Sequence, residues 1–258
     1  MHQRSFGEAS ASSHSPSGLP GRTGLVWLIA AALVTVILWQ LPFGNYILYP
    51  FTILATWFHE MAHGIAALIL GGGFTKLLIF PDGSGLAYYS GPLFLEPISQ
   101  ALVAAAGPIG PPLAGAALII ASRTTQSASV ALKILAVLLL VSTAVWVRSL
   151  FGIIAIPALG LLTLFISLKA SARTRVFAVQ FLGVQACVST YLQVGYLFSH
   201  SAGSLGLSDT ARIQQVLLLP YWFWGALIAA SSFLILVRSL RIAYGSGPLL
   251  RIRDSSGT

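Results

Sequence analysis

His59 and His63 stand four residues apart in the stretch TWFHEMAHGIAALILGGG, residues 56–73, with Glu60 directly after the first histidine. On a helix, positions i and i+4 share a face, so both rings can aim a nitrogen at one metal ion. The carboxylate beside them is placed to take a proton from a water that such an ion acidifies. A His-Glu-x-x-His pattern arises in roughly 0.2% of shuffled chains of this composition, so chance is a poor explanation. The setting sharpens the point. Ionisable groups at membrane depth cost about 2.5–3.5 kcal/mol each even on the most lenient scale, which makes the triplet a functional candidate by default. A polar cluster that merely glues helices would not need this order of residue types.

Two nitrogens do not complete a catalytic zinc site, which takes three protein ligands and keeps one position open. The chain offers four further candidates for the third ligand: Asp82, Glu96, His200 and Asp209. Asp82 is accounted for by a Pro-Asp-Gly turn, and Glu96 by its place before Pro97 at a span boundary. Asp209 precedes the last apolar run in GLSDTARIQQVLLLPYWFWGALI, where Ser208 or Asp209 can also serve as a helix N-cap. His200, in FSHSAG, is the second choice after Asp209.

The elements that must position these residues are membrane helices. The 258 residues are 56% hydrophobic and 8% charged, against about a quarter charged in ordinary globular domains, and the mean hydropathy is +0.86. Runs of the length that crosses a hydrocarbon core lie near 24–41, 51–70, 98–121, 129–147, 150–168, 176–198 and 216–237. The expectation is an all-α polytopic membrane protein of six or seven transmembrane helices, with the count turning on Arg148 and Ser149, where a tight turn divides two apolar runs. Residues 1–23, which include His2 and His14, are read as a disordered tail, 24–240 as one membrane-embedded domain, and 241–258 as a basic tail carrying Arg251 and Arg253.

After the second span, GGGFTKLLIFPDGSGLAYYSG predicts a glycine helix stop and a β-hairpin over 74–89. An open strand edge beside the polar triplet can hold an extended peptide by backbone hydrogen bonds. The third span, ISQALVAAAGPIGPPLAGAALIIAS, sets Ala106, Gly110 and Ala114 at four-residue spacing beside Gly107 and Gly115, a face that lets helices approach closely. Its Pro108, Pro111 and Pro112 remove three backbone donors, so a bent or broken helix is expected there.

The formal charge of +8 comes from 14 Lys and Arg scattered at span ends. Headgroup anchoring explains them, and a nucleic-acid surface is not indicated. Cys187 is the single cysteine, which excludes an intrachain disulfide and a cysteine metal cluster.

With these residues in view, the chain resembles the site-2 protease family of intramembrane zinc metallopeptidases, in its compact branch without a PDZ domain. The likeness rests on HEMAHGIAALILGGG, FPDGSGLAYYSG, AAGPIGPPLAGAAL, and late in the chain SDTARI with LPYWFWGAL, over roughly residues 50–235. The resemblance implies one zinc ion per chain, His59 and His63 as ligands, Glu60 as general base and Asp209 as third ligand. Better-known members carry Asn-x-x-Pro and Leu-Asp-Gly in a later span. This sequence has neither, and its Ser-Asp-Thr is similar to the Ser-Asp-Ala of the compact branch. The implied activity is hydrolysis of peptide bonds in or near transmembrane segments of protein or peptide substrates, in a multi-pass protein of a bacterial cell membrane.

Two other classes are weighed against it: a metal-ion transporter or sensor using the histidines as a transit site, and an inactive protease-like scaffold. The former calls for ionisable residues along several spans, and spans three to six hold almost none besides Lys133. With seven spans, Arg4, Arg22, Lys76, Arg148 and Arg212 fall on the N-terminal side and the remaining nine cations on the other, which sets that side outside. The resemblance instead implies a site open to the cytosol, on the side of the N-terminus.

Overall fold

The computed structural model describes residues 21–192, 194–203 and 206–245. Most of the expected N-terminal tail, His2 and His14 included, lies outside the described residues, as do Arg251 and Arg253 of the C-terminal tail. Nine helices and one hairpin are described: α1 (Gly21–Gln40), α2 (Gly44–Ile69), β1 (Gly73–Ile79), β2 (Gly85–Ser90), α3 (Ile98–Ala121), α4 (Thr125–Val145), α5 (Leu150–Lys169), α6 (Ala172–Leu192), α7 (Val194–Leu197), α8 (Asp209–Leu217) and α9 (Tyr221–Tyr244). α3, α4, α5 and α9 are each long and apolar enough to cross a membrane, and a fifth crossing is added if α1 and α2, which turn by 117° at residues 41–43, form one bent unit. Among the described residues, length and composition alone thus give four or five crossings in a multi-pass membrane protein. α6 falls short of the expected span because Arg173 and Arg175 open it and it buries Gln180, Gln185, Ser189 and Thr190.

α3 is the hub, packed against α2, α6, α8 and α9. It is not broken at Pro108, Pro111 and Pro112, one of the two outcomes expected there, but continues through them as one helix. The carbonyls these prolines leave without a donor lie inside the bundle rather than against lipid, where such backbone is tolerated; the Cys187 thiol contacts one more α3 carbonyl, that of Pro112, at 3.7 Å. The last expected span is corrected. It divides at Leu218, whose left-handed φ of 64° ends α8, and at Pro220, which caps α9.

The hairpin pairs antiparallel, with its register shifting between Phe74 and Lys76. Asp82 closes its turn by accepting from the Ser84 amide at 2.9 Å and the Ser84 hydroxyl at 2.6 Å. Thr56 on α2 donates to the Gly83 carbonyl at 2.6 Å and Tyr49 to that of Pro81 at 2.6 Å. The hairpin therefore lies back along α2.

On its other side β1 is fixed by the α4–α5 turn. The Leu77 amide donates to the Trp146 carbonyl at 2.8 Å, and the Arg148 amide to the Leu77 carbonyl at 3.0 Å. Ser149 caps α5 and also exchanges both hydrogen bonds with Ile79, at 2.9 and 2.8 Å. Beneath, Trp57, Met61, Phe74, Leu77, Leu139, Val147 and Ile156 form one buried cluster. Trp57 donates to the Ser142 hydroxyl at 2.9 Å, a kind of bond worth only about 0.6 kcal/mol on average between membrane helices. The hairpin's position accordingly comes from many contacts rather than from any one.

Ser149→Ala leaves the Ile79 amide and carbonyl without their partner. It should lower stability by about 1–3 kcal/mol, read as a fall in the unfolding temperature of the detergent-solubilised protein; an unchanged temperature would show that the turn does not clamp the strand.

Candidate metal centre

α2 brings Thr56, His59, Glu60 and His63 to one face, turned toward a cavity of about 560 Å³. Glu60 and His63 are buried at 7% and 9% exposure, and Asp209 at 5%. Across the cavity wall, His59 Nε2 lies 3.0 Å from Asp209 Oδ2 and His63 Nε2 lies 3.4 Å from Asp209 Oδ1. The three donor atoms are all within 4.8 Å of one another.

The donor set suits a divalent cation. The His63 Nδ1–H donates to the Val103 carbonyl at 2.7 Å, which orients the ring and, in the neutral tautomer, leaves its Nε2 lone pair facing a carboxylate oxygen. Two acceptors that face one another are satisfied by a second ring proton or by a cation between them. Ligands held at about 2.0–2.1 Å in a tetrahedron stand about 3.3 Å apart, and the two nitrogen–oxygen distances bracket that value. His59, His63 and Asp209 all line the cavity, so two nitrogens and one carboxylate could together hold a metal ion there.

Asp209 arrives from a separate part of the chain, and its placement has local causes. Ser208 takes the cap of α8, accepting from the Ala211 amide at 3.2 Å, which frees the next carboxylate to point inward. The Tyr196 hydroxyl donates to Asp209 Oδ2 at 3.0 Å and accepts from the Asp209 amide at 3.2 Å. Thr210 donates to the Leu197 carbonyl at 3.1 Å. Ala101, Ala104, Leu197, Ile213 and Ile228 pack α8 between α3, α7 and α9.

Two glycines make the approach possible. A Cβ on Gly107 of α3 would stand 2.1 Å from His63 Nε2 and 2.7 Å from His59 Nε2. A Cβ on Gly85 of β2 would meet Glu60 Cγ at 2.7 Å and Thr56 at 2.6 Å. The hairpin thus lies directly on the carboxylate of α2. Among the described residues the outer edge of β2 has no strand partner, and Gly85, Leu86, Ala87 and Tyr89 line the cavity with Glu60.

The other third-ligand candidates do not join the cluster, although Asp82 lines the same cavity. His200 is exposed and stacks edge-on against Tyr221 at 5.7 Å, Asp82 serves its turn, and Glu96 accepts from the Leu93 amide at 3.3 Å. Sequence reasoning did not find Tyr196 or Val103, neither of which carries a local signal. Gly107 was visible in the small-residue span, but only as a packing position.

Gly107→Ala puts a methyl group into the imidazole pair. It should weaken zinc binding by about 10–100-fold, as loss of an orienting contact does, measured as metal content after dialysis, with helicity unchanged; full retention of zinc would show that α3 is free to retreat.

Residues 28–239 match the peptidase M50B-like family. No curated protein and no solved structure matches the chain. That match takes in α2 with His59, Glu60 and His63, the hairpin, and Asp209 on α8, and it extends over most of the sequence: the chain belongs to the peptidase M50B-like family, and so to the site-2 proteases.

Proposed function

We propose that the protein is an intramembrane zinc metalloendopeptidase that hydrolyses peptide bonds in or near transmembrane segments of membrane proteins. The observation that carries this reading is the convergence of His59, His63 and Asp209 beside Glu60 on one cavity, next to a strand edge that has no strand partner among the described residues. In this reading α1, α2 and α6 join α3, α4, α5 and α9 in the bilayer, giving the six or seven crossings expected from the sequence.

His59 Nε2, His63 Nε2 and an Asp209 oxygen would hold one zinc ion, which when bound supplies a Lewis acid for the scissile carbonyl and acidifies the attacking water. Glu60 accepts the proton of that water on its carboxylate and later returns it to the leaving amine. Val103 and Tyr196 keep the His63 ring and the Asp209 carboxylate in place. A peptide bond inside a helix is shielded by its own hydrogen bonds, so the segment has to be extended before attack. β2 offers the free edge on which such a segment pairs, and the hold of α2 and of the 146–148 turn keeps that edge in register with Glu60.

Glu60→Gln should retain zinc and lower the cleavage of a co-expressed transmembrane substrate by at least about 100-fold. Cleavage equal to wild type would remove Glu60 from the chemistry. Asp209→Ala should lose both zinc and activity, whereas His200→Ala should keep both; zinc content and cleavage scored side by side check the pair, and full zinc in Asp209→Ala would strike that residue from the ligand set.

A further inference from the structure

α8 sets Arg212 three residues after Asp209, a spacing that brings two side chains to one helix face, and both residues line the cavity of the metal centre. An acid and a base so placed ordinarily pair. Here the carboxylate is already held by His59, His63 and Tyr196, and among the described residues Arg212 forms no ion pair. Its Nε donates to the Leu207 carbonyl at 3.4 Å, which ties the guanidinium at one corner and leaves its two terminal nitrogens for another acceptor.

A second cavity, of about 490 Å³, shares Tyr89, Leu207 and Arg212 with the first. The start of α3 adds Gln100 to its wall, and the next turn of α8 adds Gln215. Charge divides between the two spaces: Glu60, Asp82 and Asp209 line the first, whereas Arg212 is the one charged residue on the wall of the second among the described residues. A guanidinium flanked by neutral amides is a receptor for a carboxylate, which it can take with two parallel hydrogen bonds, and it turns a lysine or arginine away. β2 leads to this receptor. Gly85 lies against Glu60 and Tyr89 follows it along the strand, about 13 Å on at 3.3 Å per residue, and a peptide paired with that edge keeps the same spacing.

We infer that the second cavity is a specificity subsite in which Arg212 receives the carboxylate of an Asp or Glu side chain about four residues from the bond that is cut. This deepens the peptidase reading and rests on it for the identity of the ligand as a substrate. Acids are costly deep in the hydrocarbon, so the segments selected carry their acid where the apolar run ends. Arg212 acts on the choice and register of the substrate, and the proton transfers stay with Glu60.

To test it, full-length Glu60→Gln protein, zinc-loaded and in nanodiscs of zwitterionic lipid, is titrated with fluorescent peptides of about 20 apolar residues, acetylated and amidated so that no chain end is charged, each carrying a single Glu, Gln or Lys near one end of the run. The Glu peptide should bind about 10–100-fold more tightly than its Gln counterpart. Arg212→Gln should abolish that difference, and Arg212→Glu should move the preference to the Lys peptide. A preference for Glu over Gln that survives Arg212→Gln overturns the inference, and so does its loss when phosphatidylglycerol replaces the zwitterionic lipid, which would give the guanidinium to a headgroup. With Glu60 restored, cuts mapped by mass spectrometry should move with the Glu as it is stepped along the peptide; cuts that ignore its position would also overturn the subsite. Binding needs no hydrolysis, so the two readings fail separately: an Arg212-dependent preference without any cleavage by wild type sinks the peptidase reading and leaves the carboxylate site standing.

Discussion

A carboxylate inside a bundle of apolar helices has to be answered by other polar groups, and Asp209 is answered by two imidazoles and a phenol. Leaving a buried charge unpaired costs several kcal/mol, so this meeting dictates where α8 sits, how closely α3 may pass and why residue 107 has no side chain. The surrounding architecture follows from it. α3 runs between α2 and α8 as the common wall, with its backbone carbonyl at Val103 steering one imidazole and its glycine clearing room for both.

The hairpin meets a different constraint. A strand has two edges, and a strand near a reactive centre is useful only if one edge is fixed while the other stays free. Here the main chain of residues 146–148 takes the outer edge of β1, and Thr56 and Tyr49 hold the turn. What is left over is the edge of β2 beside Glu60. The aromatic pair Phe74 and Trp146, stacked at 4.9 Å, adds the side-chain counterpart of that backbone clamp.

How much of this could be read in the sequence depends on whether the cause was local. The histidine pair, the glutamate, the turn chemistry of Pro81, Asp82 and Gly83, and the bounds of α3 are all set by near neighbours along the chain, and each was legible. Asp209 stood first of four candidates but with a competing reading as a cap, because a single acid near a helix start looks the same whether it caps or points inward. The structure separates the two jobs, with Ser208 capping and Asp209 facing the histidines. Tyr196 and Val103 act through contacts formed only by packing, so no pattern announced them. The prolines of α3 left the outcome open for the same reason: they remove ladder bonds in any helix, and only the packing between α2, α6, α8 and α9 shows that the helix continues. The span count turns on elements such as α6, whose opening arginines and buried glutamines and serines keep it below the apolarity that marks α3, α4, α5 and α9 as crossings.

The polar centre draws on residues 59–63 and on residue 209, and this separation has a bearing on synthesis. A nascent chain inserted from its N-terminus holds its histidines and glutamate in the membrane well before α8 has emerged. Until then the pair lacks its carboxylate and the cavity lacks a wall. The polar centre is therefore complete only once the last third of the chain has packed against α2 and α3.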